Sequence, residues 1–293
     1  QAALPKIVHY PCPEARELKE KLAAYLDVPG DRLVLGNGGA ELIFLLTSFL
    51  APRRVVVPAP AFGEYGRGLR QTPVVPVPLA AAQGFRLDPK ALAGLLEPGD
   101  LLFTGNPNNP TGVLTPKKVV LELASLAAER GALLAVDEAF MDFVADGQSV
   151  VREAADHPAL VVVGSLTKVF AIPGLRLGYL VGRRELARPL EEALPPWRVN
   201  TLAQAAGIAA LADGGHLAAT RELVAREREF LAENFRRLGF QVFPGAANFL
   251  LVNGRPVGVS GEALQEFLGP RGVLVRLCHS FANLDEYYFR NAV

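Results

Sequence analysis

Two cysteines, one methionine and four histidines are all that this 293-residue chain holds of sulfur and imidazole side chains. Cys12 and Cys278 stand far apart. That spacing excludes a disulfide framework or a cysteine metal cluster and suits a reducing cytoplasm. The histidines, His9, His157, His216 and His279, lack metal-ligand spacing, and no Ser/His/Asp grouping stands out. The formal net charge is zero, with neither a basic stripe nor an acidic tail, so nucleic acid is not an expected partner. No apolar run exceeds strand length, so no membrane-spanning helix is expected. Lysine is scarce: there are seven, which leaves 23 arginines of the combined 30. The single methionine, Met141, is far from the start. Residues are therefore expected to precede Gln1 in the full protein, and no signal peptide is visible in what is given.

What is present is a core. Half of the residues are hydrophobic, and the length suits two domains. Residues 13–26 place Ala15, Leu18, Leu22, Tyr25 and Leu26 on one face of an amphipathic helix, stopped by Pro29-Gly30. Arg32–Leu35 reads as a strand, and Glu41–Leu50 as a largely buried helix. Short apolar runs follow at 55–57, 101–103, 133–136, 161–163 and 177–181, with helical stretches at 117–130 and 184–194. Buried strands that alternate with helices indicate an α/β fold on a mostly parallel sheet. From about residue 200 the pattern changes to a long charged helix at 216–238. Strand-like stretches at 240–243, 249–252, 273–276 and 287–293 and a helix at 261–268 complete a smaller α+β domain.

Several residues stand where ligands bind in such sheets, beyond the carboxyl ends of the strands. Lys168 ends the run Leu160–Lys168, an apolar strand that turns abruptly polar. Desolvation at such a lip disfavours the ammonium form and makes the amine a nucleophile. Ser165, Thr167 and Arg176 beside it are suited to a phosphate, so the group asks for a ligand with an aldehyde at one end and a phosphate at the other. Pyridoxal phosphate is such a ligand; a plain surface lysine is the alternative. Gly36-Asn37-Gly38-Gly39-Ala40 joins a strand to a helix, either as an anion-binding turn or as a simple tight one. Asn106-Pro107-Asn108-Asn109-Pro110-Thr111-Gly112 forms a rigid loop that presents Asn109. Asp137 closes the strand Leu133–Val136 and needs a cationic partner, which a pyridinium nitrogen, an arginine or a helix N-terminus would each supply. Phe62 either stacks on a flat ring or fills the core. Arg276 and Arg290 either bind carboxylate and phosphate or make surface ion pairs.

In that order the motifs resemble the fold-type-I pyridoxal-phosphate enzymes along nearly the whole chain. The implied fold is that of the PLP-dependent transferases, with helices on both faces of the central sheet. Its parts would be an N-terminal segment (1–27) packing with the small domain, a large cofactor-binding domain (28–213) and a small C-terminal domain (214–293). The chain is most similar to the group of histidinol-phosphate aminotransferase and L-threonine-O-3-phosphate decarboxylase. The segments 165–179, Pro196-Trp197-Arg198-Val199-Asn200 and 273–278 favour the decarboxylase of cobalamin biosynthesis. So does Asp137-Glu138-Ala139-Phe140, since aminotransferases usually carry tyrosine where Phe140 stands. The resemblance implies that Lys168 attaches the cofactor, Asp137 pairs with its ring nitrogen, Asn109 bonds the ring 3-oxygen and Phe62 stacks on the ring. Gly39, Ala40, Ser165, Thr167 and Arg176 would hold the cofactor phosphate, Arg290 the substrate carboxylate and Arg276 the substrate phosphate. Tyr10 would reach the cofactor phosphate of a partner subunit, which implies a homodimer. The family's N-terminal arm and final helix are missing from the sequence. An intact Lys168, Asp137 and Asn109 argue against a catalytically silent binding module.

Overall fold

The computed structural model describes residues 2–67, 72–144 and 147–293; Gln1 lies outside them. The strands are β1 (Leu33–Gly36), β2 (Val55–Ala59), β3 (Val74–Pro78), β4 (Leu101–Gly105), β5 (Leu133–Asp137), β6 (Leu160–Ser165), β7 (Gly178–Val181), β8 (Gln241–Val242), β9 (Phe249–Asn253), β10 (Arg276–Leu277) and β11 (Tyr288–Ala292). The α-helices are α1 (Arg16–Leu26), α2 (Gly39–Leu50), α3 (Pro89–Gly94), α4 (Lys117–Glu129), α5 (Val151–Ala154), α6 (Arg184–Glu192), α7 (Thr201–Leu211), α8 (Gly214–Arg237) and α9 (Gly261–Leu268).

β1 to β7 form one sheet in the order β1-β7-β6-β5-β4-β2-β3. The run from β6 through β5, β4 and β2 to β3 is parallel, whereas β7 is antiparallel to both β6 and β1. Side chains alternate between faces along each strand, and here both faces are covered. Leu160 and Val162 enter one core with Leu102 and Leu134; Val161 and Val163 enter the other with Leu101 and Phe103. The first core is closed by α1, α3, α4, α5 and α7, the second by α2 and α6. Each fully buried leucine contributes roughly 1.5–3 kcal/mol.

The N-terminal helix sends its leucine stripe into the large sheet. Leu18, Leu22 and Leu26 of α1 lie in the first core of the large sheet. A Cβ at Gly207 of α7 would lie 2.8 Å from Leu18 Cδ1, so the glycine is what admits the leucine. Three leucines at i, i+4 and i+8 make one apolar stripe, which α7 and the sheet edge at β1 cover.

The small domain is an antiparallel sheet, β10-β11-β9-β8, with Ala232 of α8 packed on Leu250, Val252 and Phe289. Its outer strands are shorter than the sequence suggests: 240–243 yields only Gln241–Val242, and 273–276 only the pair Arg276–Leu277. Among the described residues no helix is long and apolar enough to cross a membrane.

Candidate active site

The site lies where β4, β5 and β6 end. One cavity of about 260 Å³ brings together Lys168, Asp137, Asn109, Phe62, Ser165, Thr167, Gly39, Ala40, Arg176 and Arg290, with Phe140 in its wall. Tyr10 and Arg276 are not brought to it. Tyr10 is 84% exposed and tilts against Trp197 at 5.1 Å. Arg276 is exposed on β10 and registers opposite Arg290, with its guanidinium 5.7 Å from the Phe281 ring.

The anion end is built from backbone and hydroxyls. Gly38 precedes α2 with φ +90°, which side chains rarely adopt, and a Cβ there would lie 2.6 Å from Arg176 Nη2. A Cβ at Gly178 of β7 would lie 2.5 Å from the Gly39 nitrogen. These two glycines let the start of α2, the start of β7 and the Arg176 guanidinium converge. The free N–H groups of that helix end favour an anion. Ser165 Oγ and Thr167 Oγ1 complete the cradle, 2.8 Å apart.

The loop after β4 is fixed from inside. Asn106 exchanges two hydrogen bonds with the Thr115 backbone, at 2.8 and 3.0 Å. Asn108 Nδ2 donates to the Pro60 carbonyl at 2.9 Å, which ties this loop to the one that carries Phe62. Asn109 is left free to face the cavity, where its Oδ1 accepts from Arg290 Nη1 at 2.5 Å. Arg290 also lies over the ring of Phe249, 4.8 Å from its centroid, and Phe140 meets the same ring edge-on at 5.0 Å.

The charges are matched to attack by an amine. Burial lowers the pKa of Lys168, as do Arg176 and Arg290, against the opposing pull of Asp137. Burial raises the pKa of Asp137, whereas the Ala139 N–H, the Tyr65 hydroxyl and Lys168 work to hold it ionised. Both hydrogen-bond partners of that carboxylate are neutral donors: Ala139 N to Oδ1 and Tyr65 Oη to Oδ2, each at 3.0 Å. Of the three partners considered for Asp137, neither an arginine nor a helix N-terminus is present among the described contacts. Tyr65 escaped the sequence reading. Its only signal was its position three residues after Phe62, in the same loop.

The family model for aminotransferase class I and II matches residues 2–290.

The chain belongs to the class I and II aminotransferase family.

It is 39% identical over 294 residues to the histidinol-phosphate aminotransferase of Symbiobacterium thermophilum, covering 97% of this chain and 78% of that protein. It is 35% identical over 291 residues to the threonine-phosphate decarboxylase of Salmonella typhimurium, covering 98% and 79%. The crystal structure of histidinol-phosphate aminotransferase from Clostridium acetobutylicum superposes with a TM-score of 0.91 at 29% identity, covering 100% of this chain and 87% of that one. Members of the family are pyridoxal-phosphate enzymes, and pyridoxal phosphate is the cofactor here.

The residues present fit that group. A Cβ at Gly38 would crowd the Arg176 guanidinium, and the cradle there offers hydroxyls, backbone N–H groups and that guanidinium for a phosphate. Phe62 offers a ring face. Asp137 lacks a cation among its hydrogen-bond partners, and a protonated ring nitrogen is one.

Proposed function

We propose that the chain decarboxylates L-threonine O-3-phosphate, giving (R)-1-aminopropan-2-yl phosphate and carbon dioxide, a step of cobalamin biosynthesis. The observation that carries this reading is Phe140. It stands in the cavity wall with its ring against Phe249 and has no hydroxyl to offer. The tyrosine usual at this place in aminotransferases would give the cofactor's 3-oxygen a second donor beside Asn109. The decarboxylase relative from Salmonella typhimurium supports the same reading.

Lys168 carries the amine that would hold the cofactor through its aldehyde, and its lowered pKa keeps more of that amine neutral. Ser165, Thr167, Arg176 and the backbone at Gly39 and Ala40 hold the cofactor phosphate. Phe62 packs on the ring face, and Asn109 donates to the ring 3-oxygen. When bound, the cofactor supplies an electron-accepting ring that stabilises the charge left at Cα. Asp137 keeps the ring nitrogen protonated, which sustains that acceptance. Arg290 would grip and orient the substrate carboxylate, and Arg276, its register partner on β10 outside the cavity, would help to hold the substrate phosphate. The Lys168 amine would give the proton that replaces carbon dioxide at Cα. Tyr10 reaches the cofactor phosphate of a second copy, so the working unit is a homodimer.

A second reading, transamination of histidinol phosphate, is favoured by the 39% identity to the Symbiobacterium thermophilum enzyme. A side-by-side assay separates them: carbon dioxide from threonine phosphate, against glutamate from histidinol phosphate and 2-oxoglutarate. Transamination without decarboxylation overturns the first reading.

A further inference from the structure

The hydroxyl of Tyr65 is placed with more care than a core tyrosine needs. The side chain is 1% exposed, and its ring stacks on Phe103 at 4.9 Å, with 6° between the planes. From there Oη reaches Asp137 Oδ2 at 3.0 Å. The path is kept open by Gly105, the last residue of β4 and the register partner of Asp137 on β5. A Cβ at position 105 would lie 3.1 Å from that hydroxyl. The same tyrosine meets Phe62 edge-on at 5.7 Å, so one side chain touches two residues that line the cavity.

We propose that Tyr65 is a positioning residue for the cofactor's ring nitrogen: its hydroxyl orients the Asp137 carboxylate and holds it ionised, and thereby sets how strongly the ring withdraws electrons.

A buried carboxylate with few donors gains basicity and competes with the ring nitrogen for the proton. Tyr65 counters this as a permanent donor. Burial and the neighbouring Asp137 both raise its own pKa, so it keeps its proton wherever the enzyme works. Its removal leaves Oδ2 without a side-chain donor while Oδ1 keeps Ala139. The proton then shifts toward Asp137 and the ring becomes a weaker electron acceptor. This inference depends on the cofactor, not on which reaction is catalysed.

The test compares wild type and Tyr65→Phe, each loaded with pyridoxal phosphate labelled with ¹⁵N in the ring. The variant keeps the ring that packs on Phe103 and loses only the hydroxyl. The ¹⁵N shift of the bound cofactor should move toward the unprotonated value. The absorbance titration of the cofactor attached to Lys168 should move to higher pH. kcat should fall roughly tenfold to a hundredfold with KM little changed, the scale of one hydrogen bond to a charged group. Gly105→Ala, which crowds the hydroxyl but keeps it, should move the ¹⁵N shift the same way by less, and serves if Tyr65→Phe does not fold. An unmoved ¹⁵N shift and titration in a folded variant overturn the proposal, even if activity falls. A wild-type protein with no bound chromophore overturns the cofactor assignment itself, a result distinct from the first.

Discussion

Arg290 Nη1 and Asn109 Oδ1 are joined at 2.5 Å across 181 residues of chain. The bond links β11 of the small domain to the loop after β4 of the large one. It occupies the oxygen of the Asn109 amide and leaves the nitrogen as the group's donor. The residue proposed to grip the substrate carboxylate is thus hydrogen-bonded to the one proposed to contact the ring 3-oxygen.

Arg290→Gln removes the guanidinium and its charge. The carboxylate grip and the anchor of Asn109 are lost together, and kcat/KM for the natural substrate should fall by about 2–5 kcal/mol, the scale for breaking a buried charge pair. Loss in kcat/KM with intact cofactor absorbance is the expected steady-state result. Unaltered kcat/KM would remove Arg290 from the substrate site.

Lys168→Ala should abolish turnover and the absorbance at about 420 nm of protonated cofactor attached to a lysine. Borohydride treatment of wild type should leave the cofactor on the peptide that contains Lys168, read by mass spectrometry. Turnover at wild-type rates in the alanine variant contradicts the mechanism.

Phe140→Tyr restores the hydroxyl usual in aminotransferases at the ring edge. Cofactor binding should persist, and decarboxylation should fall by about 1 kcal/mol, the net size of one hydrogen bond. Transamination in the same preparation should rise relative to it. An unchanged ratio of the two products would deprive Phe140 of its role in reaction choice.

Glu138 is buried, accepts hydrogen bonds from Ser149 Oγ and Val150 N, and has its pKa pushed up by burial from 4.5 to about 7. An acid whose folded pKa is raised contributes stability that is present below its unfolded value and is lost as pH rises through its folded value. Stability from this group should therefore decline between pH 4.5 and about 7. Glu138→Gln should flatten that part of a denaturation-versus-pH profile and gain on the order of 2 kcal/mol above it. Parallel profiles for the two proteins would contradict the burial of an ionisable group there.

Much of the fold was legible because the strands of a sheet covered on both faces read as apolar runs between helices. The exceptions have physical causes. β3 escaped notice because Pro76 and Pro78 interrupt it, and proline is tolerated there because β3 is an edge strand paired with β2 alone. α7 was missed because its run of alanines carries little periodicity; Asn200, whose side chain accepts from Ala203 N, was its one clear signal. In the site, glycines, prolines and charged residues at strand ends announced Lys168, Asp137, Asn109 and Arg176. Tyr65 was silent, because nothing in its neighbourhood of sequence says that its hydroxyl meets a carboxylate 72 residues away. Arg276 and Arg290 are register partners across β10 and β11, which their fourteen-residue spacing does not announce, and of the two only Arg290 lines the cavity.

The most direct test of the proposed reaction follows the carboxylate itself. L-threonine O-3-phosphate labelled with ¹³C at C1 is incubated with the cofactor-loaded protein, and the label is followed by NMR. The account expects all converted label to appear as carbon dioxide and bicarbonate, with aminopropanol phosphate formed in equal amount. Label retained in a keto acid, or conversion of histidinol phosphate with none of threonine phosphate, would contradict it.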